Sequence, residues 1–171
     1  MAILNIVNQL KFSRAEFRRG FEEVTEDEGS RRLMPINSIA WIVGHLAWHE
    51  QHYWLKMMQG IVLYPELIEA NAFGKPAAEV SLMRMKFCWE KVTEETDMYL
   101  TALTESDLDR VVIIEGRKEP FHIGTKLTRL IYHYWYHTGE IQAIRQLLGH
   151  TDLPSFVSDE IETVGKFYLD E

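Results

Sequence analysis

The sequence predicts an all-α protein: an antiparallel four-helix bundle with one long crossover loop and a small hairpin-like excursion before the last long helix. Two observations lead to this prediction. Four long segments repeat apolar residues at three- and four-residue steps, the spacing of one helix face. One connection, residues 61–76, is long and broken by prolines and a glycine. With 171 residues, the chain is most simply a single domain that covers residues 1–171.

The first helix is predicted from an apolar stripe that begins at Ile3 and ends at Val24, with arginines and glutamates on its other faces. A polar loop is expected to follow it. The second helix begins after Asn37 or Ser38, either of which is a good N-cap, and ends before Gly60. This helix is apolar on more than one side, so we expect it at the centre of the bundle or against a partner subunit.

The middle of the chain changes its pattern several times. Residues 61–76 are predicted to form an irregular connection that packs over the bundle. The third helix is expected over residues 77–103, and the polar residues 104–109 close it. Two short β-branched runs, 111–115 and 119–124, flank a Gly-Arg-Lys turn and predict a small hairpin.

The last long helix is predicted from Lys126 to Leu148. Gly149 follows it at the position that a helix C-cap favours. Beyond this glycine, residues 153–157 are expected to be extended, and residues 158–171 to hold one short helix.

Composition and charge exclude several classes of partner. The net charge of −8 argues against a nucleic-acid partner and against an anionic membrane surface. The amino terminus lacks the pattern of a signal peptide, and no apolar run reaches the length of a membrane span. The single cysteine, Cys88, excludes an internal disulfide and lies between aromatic residues, where thiols are usually buried and inert. The sequence therefore predicts a cytoplasmic protein.

Histidines on two predicted helices are the candidate metal ligands. His133 and His137 are four residues apart, so their side chains leave the same helix face. Such a pair alone is a weak signal, because either imidazole can bond to a backbone carbonyl. The second helix carries His45, His49 and His52. One of them can meet His133 and His137 in the bundle, and three imidazoles suit a divalent zinc, nickel or iron ion with an open coordination position.

Glu140 is the candidate catalytic residue. It follows His137 by three residues, where it could accept a hydrogen bond, act as a general base, or simply be a solvated helix residue. Other metal patterns fit less well. The di-iron pattern needs Glu-x-x-His on two helices, and the one such spacing, Glu119 to His122, contains a proline. The sequence has no HExxH, no CxxC pair and no glycine-rich phosphate loop.

Two motifs together resemble a known family. Residues 37–47, Asn-Ser-Ile-Ala-Trp-Ile-Val-Gly-His-Leu-Ala, and residues 133–141, His-Tyr-Trp-Tyr-His-Thr-Gly-Glu-Ile, are similar to those of the DinB-like (YfiT-type) superfamily of metalloenzymes, and the resemblance covers nearly the whole chain. It implies a four-helix bundle, a divalent metal on His45, His133 and His137, and a homodimer. It also implies transfer of a low-molecular-weight thiol or a related isomerisation. Glutamine often stands in this family where the present chain has a glutamate at position 140.

The sequence thus leads to the hypothesis of a metal-dependent thiol S-transferase that acts on a small-molecule substrate. Spacing alone does not choose between His45 and His49 as the third ligand; the resemblance selects His45. The remaining histidine and nearby aromatic residues are the predicted substrate pocket: His49, Trp41, Trp48, Tyr134 and Trp135. Two alternatives are a non-catalytic dimeric bundle with a structural or vestigial metal site, and a stress protein that binds a small ligand without turnover.

Overall fold

The computed structural model describes residues 3–114 and 117–166 and confirms the predicted all-α bundle with a small hairpin. Within these residues, four long helical segments build the bundle, and the remaining elements connect them. The elements in chain order are α1 (Asn5–Phe21), α2 (Glu26–Ser30), α3 (Ile39–Glu50), a π-helical segment (Gln51–Met57), α4 (Glu66–Ala70), α5 (Leu82–Leu100), α6 (Glu105–Leu108), β1 (Val111–Ile114), β2 (Arg117–His122), α7 (Ile123–Leu147) and a 3-10 turn (Asp159–Glu162).

The second long helix is the central one. Ser38 caps α3, its hydroxyl accepting a hydrogen bond from the backbone N–H of Trp41 at 3.1 Å. Every residue from Ile39 to Ala47 is buried. The chain itself therefore covers the apolar faces of this helix, and they give no argument for a partner subunit. Instead of continuing as an α-helix, the segment passes into the π-helical turn at Gln51, which the apolar spacing does not reveal.

Two predicted polar loops contain short helices, and a local hydrogen-bond pattern explains both. Thr25 and Glu28 form a capping box that starts α2 in the first loop. Thr104 and Asp107 form the same arrangement and start α6 in the second loop. A capping box satisfies two of the free N–H groups at a helix start, so it stabilises even one turn of helix.

Helix boundaries also differ from the prediction. The predicted irregular connection, 61–76, contains the short helix α4. The third long helix begins at Leu82 rather than at residue 77, because the Ser81 hydroxyl caps its N-terminus. The last helix begins three residues earlier than expected, at Ile123. The expected C-cap is confirmed, since Gly149 has a φ of +93° directly after the helix.

The predicted hairpin is confirmed, although its second strand begins earlier than expected. β1 pairs with β2 in antiparallel register, with Val111 opposite His122 and Ile114 opposite Arg117. Arg117, expected in the turn, is the first residue of β2; residues 115–116 lie outside the described part of the chain. The register is irregular between Val111 and Ile113, opposite the strand that carries Pro120, which has no N–H to give to a ladder.

A buried polar network joins all four long helices. α1 packs along α7 and α3 along α5, and between them Glu50 of α3 is fully buried. Arg14 of α1 donates from Nε to Glu50 Oε1 at 2.8 Å. The Tyr134 hydroxyl of α7 donates to the same carboxylate and accepts a bond from Trp89 Nε1 of α5 at 2.8 Å. Burial, with the Glu50 charge, raises the pKa of Tyr134 well above its ordinary value, so the phenol keeps its proton.

The core around this network is continuous and apolar, and Cys88 lies within it, fully buried as the sequence predicted. None of the helices formed by residues 3–114 and 117–166 is both long enough and apolar enough to cross a membrane.

We expect Arg14→Met to lower the free energy of unfolding by about 3–5 kcal/mol, because it leaves the Glu50 carboxylate buried without its charged partner. The measurement is denaturant unfolding of both proteins at pH 7. Lys91→Met is the matched control: Lys91 pairs with Glu94 on the exposed face of α5, and such pairs contribute about 0–1 kcal/mol. An equal loss of unfolding free energy in the two variants would contradict the conclusion that the buried network stabilises the fold more than an exposed ion pair does.

Candidate metal centre

Three imidazoles from two helices meet at one end of this network. His45 of α3 and His133 and His137 of α7 each offer a ring nitrogen, and these nitrogens all lie within 4.8 Å of one another. The Nε2 atoms of His133 and His137 are 3.0 Å apart. A tetrahedral zinc ion that binds imidazoles at roughly 2.0–2.1 Å brings its ligand nitrogens to about 3.4 Å from each other. The three side chains therefore fit a single divalent ion with little adjustment.

A carboxylate orients one of the histidines. His137 Nδ1 lies 2.7 Å from Glu140 Oε2. A carboxylate accepts hydrogen bonds, so it fixes the proton on Nδ1 and leaves the Nε2 lone pair facing His133. Carboxylate–histidine pairs of this kind orient and strengthen metal ligands. The structure thus places the Glu140 carboxylate behind His137, a candidate ligand, as a hydrogen-bond acceptor. This is the first of the three roles that the sequence allows for Glu140.

A backbone carbonyl orients His45 in the same way. His45 Nδ1 lies 2.9 Å from the carbonyl oxygen of Asn71, which follows α4. The close approach depends on Gly44, since a Cβ at that position would lie 2.3 Å from Asn71 Nδ2. The indole of Trp41 stacks on the His45 ring with 4.9 Å between ring centroids and 9° between planes. Hydrogen bond and stacking together leave the ring one orientation, with Nε2 available to an ion.

Burial keeps two of the candidate ligands, His45 and His133, neutral. Burial lowers the pKa of His45 to about 4. Burial, with the neighbouring His137, lowers the pKa of His133 to about 3. A divalent metal binds the neutral imidazole, so at pH 7 neither ligand has to lose a proton first.

Part of the predicted pocket lies beside this centre. The His49 ring is 4.6 Å from the His133 ring, and its buried Nδ1 has no hydrogen-bond partner among the described residues. Trp41 and Trp48 both stack on the His45 ring, the latter with 5.4 Å between ring centroids. The structure therefore brings these three residues together with the candidate ligands.

Two other predicted pocket residues lie elsewhere. Tyr134 is fully buried in the core and bonds to Trp89 and Glu50, so it supports the helices rather than a pocket. Trp135 packs against Phe12 of α1, with 6.2 Å between ring centroids. Consecutive residues of a helix point about 100° apart, and Tyr134 and Trp135 accordingly turn away from the face that carries His133 and His137.

The sequence does not predict that Asn71 and Gly44 help to orient the site. Asn71 contributes a main-chain oxygen, which any residue could supply, so no side-chain pattern reveals it. Gly44 belongs to the first of the two motifs. Its role is to let Asn71 approach α3 closely, and this depends on where α4 ends.

The metal-free protein should lose stability as the pH falls from 7 towards 4. Unfolded histidines bind protons near pH 6.5, whereas folded His45 and His133 do so only near pH 4 and pH 3. Between these values the unfolded chain holds more protons, so acid favours unfolding, by at most about 1.4 kcal/mol per group per pH unit. Denaturant unfolding of chelator-treated protein at pH 7 and pH 5 measures the effect. The double variant His45→Asn, His133→Asn should show a smaller difference; an unchanged difference would contradict this account.

Comparisons with known proteins bear on the fold and the family of this chain. A search of curated proteins gave no match. Among solved structures, a DinB-like protein (YjoA) of Bacillus subtilis superposes with a TM-score of 0.60 at 19% sequence identity, covering 90% of this chain and 98% of that one. At this identity the likeness shows a shared fold.

The sequence comparison is more direct. The profile of the DinB superfamily matches residues 9–141, which include most of α1, the whole of α3 and all three clustered histidines. Fold, histidine cluster and sequence match agree. The chain belongs to the DinB superfamily.

Proposed function

We propose that this protein is a divalent-metal-dependent enzyme that transfers a low-molecular-weight thiol to a small electrophilic substrate. The observation that carries the proposal is the convergence of His45, His133 and His137, each of which offers a ring nitrogen to the same point. Three protein ligands leave a four-coordinate ion one further position, which is typical of catalytic rather than structural sites. The choice of thiol transfer, and of zinc, nickel or iron as the ion, is supported by the resemblance to the superfamily.

A divalent ion bound by the three histidines would lower the pKa of a coordinated thiol and hold it as a thiolate at neutral pH. The residues of the chain then have separate tasks. Glu140 and the Asn71 carbonyl hold two of the imidazoles in position. In the proposed reaction the thiol sulfur forms a bond to an electrophilic carbon, the leaving group departs with the bonding electrons, and the thiol proton passes to solvent.

The substrate contacts follow from the neighbours of the ligands. Trp41 and Trp48 flank His45 with apolar rings, which exclude water and suit an apolar part of the substrate. His49 lies against His133, and its Nδ1 has no partner in residues 3–114 and 117–166, so it can hydrogen-bond to a bound molecule. We further propose that the protein acts in the cytoplasm, where thiols stay reduced, and as the homodimer that the family resemblance implies.

Elemental analysis of the untagged protein, purified without added metal, tests the site. We expect about one equivalent of a divalent metal in the parent protein. His133→Ala should lose it, because two imidazoles bind a divalent ion much more weakly than three. His150→Ala should retain the metal, since His150 bonds to Glu28 away from the cluster.

Metal absent from the parent even after reconstitution would overturn the proposal. Metal retained in equal amount by His133→Ala would contradict the assigned ligands.

Glu140→Ala should weaken metal binding about 10–100-fold, the usual effect of removing the partner of a ligating histidine. Glu140→Gln keeps a hydrogen-bond acceptor without the charge and should lose less. Competition with a chelator gives the three affinities. Glu79→Ala, an exposed glutamate in the connection before α5, is the control; a similar loss there would show that overall charge, and not the contact to His137, sets the affinity.

Turnover is tested separately, with the metal-loaded parent and His133→Ala mixed with a low-molecular-weight thiol and an aryl halide. We expect loss of free thiol and release of halide in the parent at a rate far above that of the variant. A protein that holds metal, shows no turnover with any thiol, and changes only its melting temperature on chelation would instead be the non-catalytic bundle.

A further inference from the structure

A small cavity lies next to the candidate metal centre, between the π-helical segment, β2 and α7. Its volume is about 60 Å³, and it is lined by His49, Tyr53, Trp54, Phe121, Lys126 and Arg129. His49 connects it to the centre, because the same ring that lines the cavity lies 4.6 Å from the ring of His133. A water molecule needs roughly 10–15 Å³ of such space. The cavity therefore holds a group of a few heavy atoms rather than a whole cofactor.

One of the side chains that line the cavity carries a buried donor without a partner among the described residues. Trp54 is 1% exposed, and its indole Nε1 is buried with no hydrogen-bond partner among the described residues. An indole N–H can only donate. Native proteins rarely leave a buried donor unsatisfied, and an acceptor bound in the cavity that Trp54 lines would satisfy this one.

Two cationic side chains line the same space. Lys126 is 7% exposed; its Nζ lies 2.8 Å from Glu119 Oε2 and 4.4 Å from the centroid of the Tyr53 ring. An ammonium group has three donor protons, and Glu119 takes one of them. The guanidinium of Arg129 lies 4.6 Å from the Phe121 ring centroid and has no carboxylate partner within residues 3–114 and 117–166.

The lining is thus a set of donors and positive charges beside the aromatic rings of Tyr53, Trp54 and Phe121, in a chain whose net charge is −8. Its chemical complement is an anion with several acceptor atoms. A carboxylate fits best, because it is flat enough to lie beside these rings and small enough for the space.

We propose that this cavity binds the carboxylate of the small-molecule substrate whose reacting end lies at the three histidines. That the bound molecule is a substrate rests on the proposed function; the presence of a carboxylate site does not. Lys126 supplies the charge, Trp54 and Arg129 supply further donors, and His49 is the wall shared with the metal centre. The enzyme accordingly prefers acidic small molecules over their neutral analogues.

The test uses the metal-free full-length protein, so its result is independent of metal chemistry. The chain has five tryptophans, and the indole N–H signals are followed by ¹H–¹⁵N NMR while sodium propionate is added. Trp54→Phe identifies the Trp54 signal by its loss. We expect propionate to move this signal in a saturable way, and propionamide, which has the same shape without the charge, to leave it in place.

Variants then locate the anion. Lys126→Met should weaken propionate binding about tenfold or more, the usual effect of losing a charge-assisted hydrogen bond. Arg129→Gln should weaken it less, and Lys91→Met, an exposed lysine on α5, should not change it. Because Arg129 is exposed, its variant also tests the site should Lys126→Met fail to fold.

Three outcomes would overturn the proposal: an equal response to propionate and propionamide, binding that is unaffected by both cavity variants, or tighter binding of inorganic phosphate than of propionate. If carboxylate binding is found and the metal is not, the cavity is a binding site and the proposed enzymatic function fails on its own.

Discussion

The arrangement of the four long helices depends on the hydrogen bonds that the buried carboxylate of Glu50 accepts. This carboxylate receives hydrogen bonds from α1 through Arg14 and from α7 through Tyr134, and Tyr134 in turn ties in Trp89 of α5. A carboxylate that is buried away from water needs all its hydrogen-bond partners, because the loss of one partner leaves its charge uncompensated. Apolar packing would tolerate small sliding of one helix along another. This network tolerates much less, so it fixes the helices in one register.

That register is what assembles the candidate metal centre. Glu50 directly follows His49 in the chain, and Tyr134 directly follows His133. The hydrogen bond between Glu50 and Tyr134 therefore sits beside the contact between His49 and His133 and holds α3 against α7 at that height. The core supplies the position, and the Asn71 carbonyl and Glu140 supply the orientation of the rings. Contacts within the protein thus hold two of the three rings in place.

The same end of the bundle combines two chemical characters. The three-histidine cluster presents ring nitrogens that can bind a metal, while the neighbouring cavity presents hydrogen-bond donors and cations. The π-helical segment contributes to the cavity, since Tyr53 and Trp54 both belong to this segment. Wider turns of this kind shift side chains out of the α-helical pattern and occur often at functional sites. Metal centre and cavity are thus adjacent because one helix changes its winding between His49 and Trp54.

The sequence by itself determined the helical class, the four long helices and, through the resemblance of its two motifs, the three histidines. These follow from local rules: apolar spacing, glycine at a helix end, and side chains four residues apart on one face. Only the tertiary structure decided that Tyr134 belongs to the core, that Asn71 orients His45, and that Lys126 and Trp54 share a cavity. Each of these is a contact between residues far apart in the chain, and it depends on a backbone carbonyl, a change of helical winding or a packing distance. Residue identity and spacing carry no direct record of such contacts, so they appear only when the helices are in place.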